Sequence, residues 1–399
     1  MRSTLGLALL TITSALLVPP PSGPYDVAMR IQSVTDSSRP ADPLDLRDRD
    51  YGRRIMFSVF LPVDKRGQNG CSCPLLSVPY MTPRVAAGYG RQAAEFGVSA
   101  GFFSAFTMQV CHLDGVAACR TDRPFPVVLF TPGLSESRLL YGAGARSLAS
   151  HGYAVVTVDH PFEANFVEFP DGAVLVGRNI PGDDEPVKEN AIRVRAADLS
   201  FVIDQLHNNT LRRSLLDRYP GSLDLGRIVV YAHSVGGGAA AMLTRDDRRV
   251  LGGVDFDGQI VEPILSQGLS KPFLLAGRYG HSAPNSTDPT WNQFWPHLTG
   301  PRVELAINGT THGSYTDRPL LISALGLPDV VLDQFAGEIG SIKGPNLQRM
   351  VDSVLMAFFD FVFYGKAKEL DRLTQRYSEV SITRRNLGPR HGTHRRIAK

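Results

Sequence analysis

Hydrophobic residues recur along this chain in short blocks, and from residue 124 onward the blocks become regular. PFPVVLF (124–130), YAVVTV (153–158), RIVVYA (227–232), LGGVDF (251–256), PFLLAG (272–277) and RVELAI (302–307) are apolar runs too short for helices. Glycine, proline or polar residues bound most of them, the pattern of parallel strands buried on both faces. Between them the period changes. Ile192, Ala196, Leu199, Ile203 and Leu206 recur at steps of three and four, which predicts a helix with one buried stripe. Leu347, Val351, Val354, Phe358 and Phe361 do the same over 346–364, a further helix is expected over about 138–150, and a small-residue helix follows residue 232. Strands alternating with helices predict an α/β fold, with a mostly parallel central sheet flanked by helices.

Upstream the pattern is looser. RRIMFSVFLPV (53–63) has strand composition, while 19–50, rich in Pro, Ser and Asp, reads as an extended lead-in. Residues 64–122 carry all four cysteines and an Ala/Gly/Phe-rich stretch, and are expected as an insertion over the main sheet. Residues 160–188 read as loop. No internal repeat is visible. The expected organisation is a leader over 1–20, one domain over 21–380 containing the insertion, and a basic tail over 381–399.

Composition changes this picture at the two ends. Arg2 followed by the apolar Leu5–Val18 is too short for a comfortable membrane span and reads as a secretory signal closed by Pro19, Pro20 and Pro21, hence a secreted, extracellular protein. The net charge is only +3, but residues 384–399 hold six Lys/Arg and no acid. That end reads as a solvated tail or, more sharply, as a peripheral foot for anionic lipid surfaces. Without interleaved aromatics it does not suggest nucleic-acid binding. In an oxidising compartment Cys71, Cys73, Cys111 and Cys119 read as disulfides; bridging Cys71 to Cys73 would be strained, so each is expected to pair with Cys111 or Cys119. Their spacing fits no common metal pattern, and no metal or other cofactor is expected. Asn208 and Asn285 are candidate glycan acceptors; Asn308 has the same sequon but lies four residues before His312. Nothing in the sequence sets the oligomeric state.

The chemistry concentrates in YAHSVGGG (231–238), a strand, a tight turn and a helix start with Ser234 at the apex. Small residues at 232 and 236 permit the sharp bend of a nucleophile elbow, although Ala232 stands where glycine is usual. A serine hydroxyl needs a base to take its proton, and in the α/β-hydrolase fold that base comes late in the chain, which selects His312. Asp257 and Asp288 both follow strands where an acid could orient it, and spacing alone leaves them even; Asp255 would share a face with Asp257. Oxyanion donors are expected from the backbone N–H of Val235 and, after the turn FTPG (130–133), of Leu134.

Together LFTPGLSESRLLYGAGARSLASHGYAVVTVDHP (129–161), AHSVGGG, GGVDFDG and GTTHGS resemble the platelet-activating-factor acetylhydrolases of the plasma and intracellular type II family, most of all microbial, especially fungal, secreted members. The likeness covers roughly 120–315. It implies an α/β-hydrolase fold and favours Asp257 as the acid. It also implies calcium-independent hydrolysis of a short or oxidised acyl ester, typically at the sn-2 position of a phospholipid, so a small-molecule or lipid ester is the expected partner. Pro132-Gly133 departs from the family's usual His-Gly turn and is shared with bacterial polyester hydrolases. A cutinase-like or general carboxylesterase is therefore the alternative, and a non-catalytic binding protein on the same fold is the alternative of another class.

Overall fold

The computed structural model describes residues 15–41, 52–64, 73–95, 97–114, 116, 123–178, 180 and 184–388. Among them, twelve strands form one sheet. In chain order they are β1 (Leu16–Leu17), β2 (Asp26–Asp36), β3 (Arg53–Val63), β4 (Leu75–Pro79), β5 (Phe106–Cys111), β6 (Pro124–Thr131) and β7 (Ala154–Asp159). A separate hairpin follows, β8 (Phe166–Glu168) with β9 (Val174–Val176), and the sheet resumes with β10 (Ser222–His233), β11 (Val250–Phe256), β12 (Phe273–Arg278), β13 (Arg302–Ile307) and β14 (Val380–Asn386). The spatial order is β1-β5-β2-β3-β7-β6-β10-β11-β12-β13-β14, with β4 pairing β5. From β7 through β13 every pairing is parallel, and β3, β2 and β14 join antiparallel.

The parallel strands are buried on both faces, and this is why they read as unbroken apolar runs. In β6, Val127 and Leu129 join one core with Ile192, Leu199, Ile203 and Leu206 of the helix Glu185–His207 and Ala239–Leu243 of the helix Gly236–Asp246. Val128 and Phe130 point the other way, against Leu148 of the helix Gly142–Ala149 and Val354 and Phe358 of the helix Gly344–Tyr364. Alternate residues of one strand thus build two cores, the period-2 consequence of a pleated strand. Each fully buried side chain of this size contributes about 1.5–3 kcal/mol.

The structure departs from the sequence expectations at the periphery. The lead-in contains an eleven-residue strand, β2, paired along its length with β3. The insertion lies partly in the sheet rather than over it, since β4 and β5 extend one edge while the helix Pro83–Glu95 covers a face. The last part of the apolar N-terminal stretch is built into the fold: Leu16–Leu17 pair with Phe106 and Thr107, and Val18 is 1% exposed. Residues 160–188 hold the β8–β9 hairpin. Arg384 and Arg385, assigned to the tail, lie in β14, where Arg384 pairs with Glu304 of β13. Cys73 and Cys111 form a disulfide, in keeping with the expected pairing; Cys71 and Cys119 lie outside the described residues, as do 1–14 and 389–399.

Candidate active site

β10 ends at His233, the chain turns at Ser234, and the helix Gly236–Asp246 begins at once. Ser234 has φ 59°, a left-handed conformation that a non-glycine residue adopts only when its surroundings impose it. They do so here: the Ser234 N–H donates to the Phe256 carbonyl at 3.0 Å, and the Ser234 carbonyl accepts from the Gly237 N–H at 2.8 Å. Gly236 must be glycine, because a Cβ there would sit 2.7 Å from the carbonyl oxygens of Thr131 and Pro132. Ala232, by contrast, is accommodated fully buried.

The next strand delivers the expected acid. Asp257 follows β11 directly, also at positive φ, and is 2% exposed. Gly258 then passes so close to the elbow that a Cβ would lie 2.1 Å from the Ser234 carbonyl oxygen. His312 opens a short 3-10 turn after β13, fixed by a capping box between Thr311 and Ser314. The structure brings these three together: His312 Nδ1 lies 2.8 Å from Asp257 Oδ2, and His312 Nε2 lies 3.0 Å from Ser234 Oγ. His312 is half exposed, whereas the Asp257 side chain is wholly buried.

Asp288 takes another part. Its carboxylate accepts from the Thr290 N–H at 2.9 Å and from the Thr290 hydroxyl, at the start of the helix Thr290–Phe294. Asp255 is fully buried beneath the elbow, with Trp291 Nε1–H donating to it at 3.2 Å. Burial pushes its pKa well up and so favours its protonated form. Burial acts on Asp257 in the same direction, but hydrogen bonds from His281 and His312 and the charge of Arg278 outweigh it, holding that carboxyl far below the ordinary range. Of the two aspartates, Asp257 is the one whose surroundings favour the charged form, and it is the one beside His312.

The turn after β6 is clamped from two sides. Arg195, 1% exposed on the helix Glu185–His207, donates to the Pro132 and Gly133 carbonyls and pairs with Glu163. Tyr141 Oη accepts from the Gly133 N–H at 3.1 Å. A trans peptide is planar, so its N–H points opposite its C=O. With the Gly133 carbonyl held at Arg195, the Leu134 N–H is turned away from Arg195. Neither the Leu134 nor the Val235 N–H forms a hydrogen bond among the described residues.

Three further groups were missed from sequence. His233 bridges the turn and the base: Nδ1 lies 2.8 Å from Tyr141 Oη and Nε2 lies 2.9 Å from the His312 carbonyl oxygen. Glu136, part-buried beside Tyr141, would have its pKa raised by desolvation, but Arg318, His233 and Tyr141 hold it down to about 2. His281 contacts Asp257 from the side opposite His312. An arginine at an inward position of an otherwise apolar helix stripe, three residues after Ile192, was the one sequence signal for the Arg195 clamp.

An elbow of strand, left-handed serine and helix at the carboxyl end of an interior parallel strand, faced by a histidine and an ionised aspartate that follow later strands, defines an esterase-type hydrolase of the α/β-hydrolase fold. The solved structure of a ferulic acid esterase from Streptomyces cinnamoneus superposes with a TM-score of 0.73 at 26% identity, covering 93% of this chain and all of that one. Residues 92–168 match the family described as platelet-activating factor acetylhydrolase, isoform II. A protein of Arthroderma benhamiae named as a probable 1-alkyl-2-acetylglycerophosphocholine esterase is 28% identical over 93% of this chain and 94% of its own length. The platelet-activating factor acetylhydrolase of Canis lupus familiaris is 23% identical, and the alignment spans about half of each chain. The chain is an enzyme of this esterase class, related to the platelet-activating factor acetylhydrolases.

Proposed function

We propose that this enzyme hydrolyses short or oxidised acyl esters, with the sn-2 ester of a phospholipid as its substrate class, through Ser234, His312 and Asp257. The observation that carries the reading is the unbroken path Asp257–His312–Ser234, at 2.8 and 3.0 Å, built onto a left-handed serine. Ser234 Oγ–H donates its proton to His312 Nε2 as Oγ attacks the ester carbonyl. Asp257 accepts the Nδ1–H bond, fixes the tautomer and stabilises the imidazolium. The tetrahedral oxyanion is received by the N–H groups of Leu134 and Val235, each donor contributing about 2.7–4 kcal/mol to the transition state. His312 then protonates the leaving alcohol, leaving an acyl-enzyme, and activates the water that releases the acid. Asp288 is not the acid of this path.

The phospholipid assignment is supported by the relationship over nearly the full chain to the fungal protein named as a probable 1-alkyl-2-acetylglycerophosphocholine esterase. A second reading, an esterase for feruloyl or other aromatic acyl groups, is favoured by the close superposition with the Streptomyces enzyme. Secretion is supported by the Cys73–Cys111 disulfide, since such bonds persist in oxidising compartments, and by Arg2 followed by the apolar run ahead of the folded Leu16–Val18 segment. The test compares kcat/KM for sn-2 acetyl, sn-2 glutaroyl and sn-2 palmitoyl glycerophosphocholines with that for methyl ferulate. Preference for the acetyl and glutaroyl lipids supports the proposal; preference for the ferulate or the long-chain lipid overturns its substrate class.

A further inference from the structure

Asp257 serves more than one partner. Its Oδ2 accepts from His312 Nδ1–H at 2.8 Å and from the Arg278 guanidinium, while Oδ1 accepts from the Arg278 backbone N–H at 3.0 Å and from His281 Nδ1–H at 2.9 Å. The second imidazole is not incidental packing. His281 is 3% exposed, and its ring stacks on Trp291 with centroids 3.8 Å apart at 27°. Its other nitrogen, Nε2, faces Asp288 Oδ2 at 3.5 Å. His281 is therefore covered on one face by an indole, hydrogen-bonded at Nδ1 to Asp257, and faced at Nε2 by the Asp288 carboxylate at ion-pair distance, without a hydrogen bond.

We propose that His281 is a positioning residue of the hydrolytic site, an imidazolium locked between Asp257 and Asp288 that fixes the Asp257 carboxylate so that Oδ2 faces His312. The inference rests on the reading of Ser234, His312 and Asp257 as the catalytic groups.

The charge state follows from the geometry. A neutral imidazole carries one N–H, so one nitrogen would turn a lone pair toward a buried carboxylate. Only the doubly protonated ring suits both neighbours. The titratable and charged groups around it are Asp257 and Asp255 (the latter favoured in its protonated form) from the end of β11, Asp288 from the loop before the helix Thr290–Phe294, Arg278 from the end of β12, and His312 across Asp257. Burial by itself would lower the pKa of His281, but hydrogen bonding and charge from Asp257 and Asp288 outweigh it and raise it to about 9. The sign is that of a histidine gaining acidic partners: the bridge is fully present below the unfolded value and is lost as pH rises through about 9. Once the proton leaves, one carboxylate loses its donor. In the tautomer that keeps the single N–H toward Asp288, Arg278, a third exposed, is left as the other side-chain support of Asp257 besides His312.

The chain Asp288–His281–Asp257–His312–Ser234 thus places a titrating group outside the reacting atoms. Loss of a preorganised orientation is felt in turnover rather than in substrate binding. His281→Asn keeps a donor at the position of Nδ1 but cannot titrate. His281→Ala removes both donor and charge. Asp288→Asn removes one of the two acids that hold the proton on the ring.

The test measures kcat and KM from pH 6 to 10.5 on a water-soluble acetyl ester, with each protein titrated by a fluorophosphonate probe to count active sites. The wild type should lose kcat with a midpoint near pH 9, and His281→Asn should lack that fall. Asp288→Asn should move the fall to lower pH. His281→Ala should lower kcat at pH 7 by roughly tenfold or more, with KM little changed. A His281→Asn enzyme that keeps the wild-type alkaline fall overturns the proposal even if His281→Ala does not fold. So does a folded His281→Ala enzyme with wild-type kcat. If the probe fails to label Ser234 or Ser234→Ala stays active, the catalytic assignment itself falls. If Ser234 is labelled while the His281 variants behave as wild type, only the role of His281 falls.

Discussion

Replacing Arg195 by methionine tests whether the turn after β6 is aimed from below. The guanidinium makes five hydrogen bonds: two to Glu163, one each to the Pro132 and Gly133 carbonyls, and one to Thr131 Oγ1. Removing it leaves the Glu163 carboxylate, 7% exposed, without its partner. A buried charge stripped of its partner costs about 3–5 kcal/mol, so the single variant confounds stability with catalysis. Arg195→Met/Glu163→Gln removes the charge along with its partner and should recover most of that loss. What it does not recover is the hold on the Gly133 carbonyl. Complete loss of one oxyanion donor costs about 2.7–4 kcal/mol, and Tyr141 still holds the Gly133 N–H. About half of that effect is expected, roughly 10- to 30-fold in kcat. KM should hardly change, because the donor acts on charge that develops only in the transition state. The assay is steady-state kinetics on a soluble short-acyl ester alongside thermal denaturation of both variants. A double variant that is folded and retains kcat within twofold of wild type refutes the clamp.

Asp257→Asn should lower kcat by about 10³- to 10⁴-fold at pH 7, since an amide can present the wrong group to His312 Nδ1; turnover within tenfold of wild type removes Asp257 as the acid. Asp352, 1% exposed in the helix Gly344–Tyr364, accepts from Ser147 Oγ at 2.6 Å and Gln348 Nε2 at 3.0 Å, and burial raises its pKa to about 7. The folded state therefore favours its protonated form, and stability declines as pH rises from about 4 through about 7. Asp352→Asn should raise the melting temperature at pH 8, by an amount equivalent to about 2–4 kcal/mol, and leave it nearly unchanged at pH 4; equal effects at both pH values contradict the assignment.

The parts of the site legible in the sequence were those defined by a few consecutive residues. AHSVGGG carries the elbow because the left-handed serine and the close approach of Gly236 are local properties of strand, turn and helix. GGVDFDG carries the acid because Gly258 must pass against the Ser234 carbonyl. The core strands were legible because burial on both faces leaves no polar interruption. β2 was not, because its residues alternate irregularly between buried and partly exposed and its register is set by β3, some twenty residues on. β14 was hidden by its arginines: Val380 and Ile382 were present, but the charge run read as a tail until Glu304 supplied a partner. His233 and His281 had no readable role, and Asp288 read only as a rival acid, since their contacts join segments that only the sheet order brings together. A neighbouring histidine pair with the aspartate, His312 and His281 on opposite oxygens of Asp257, is a property of three strand ends and of no motif.

The central claim is that Ser234 is the nucleophile and carries the acyl group. It is tested most directly by rapid mixing with p-nitrophenyl acetate, followed by acid quench and peptide mass mapping. The account predicts a burst of nitrophenol equal to the active-site concentration and an acetyl group on the peptide containing Ser234, both absent from a folded Ser234→Ala variant. An acetyl group on another residue, or a Ser234→Ala enzyme that turns over within tenfold of wild type, would contradict it.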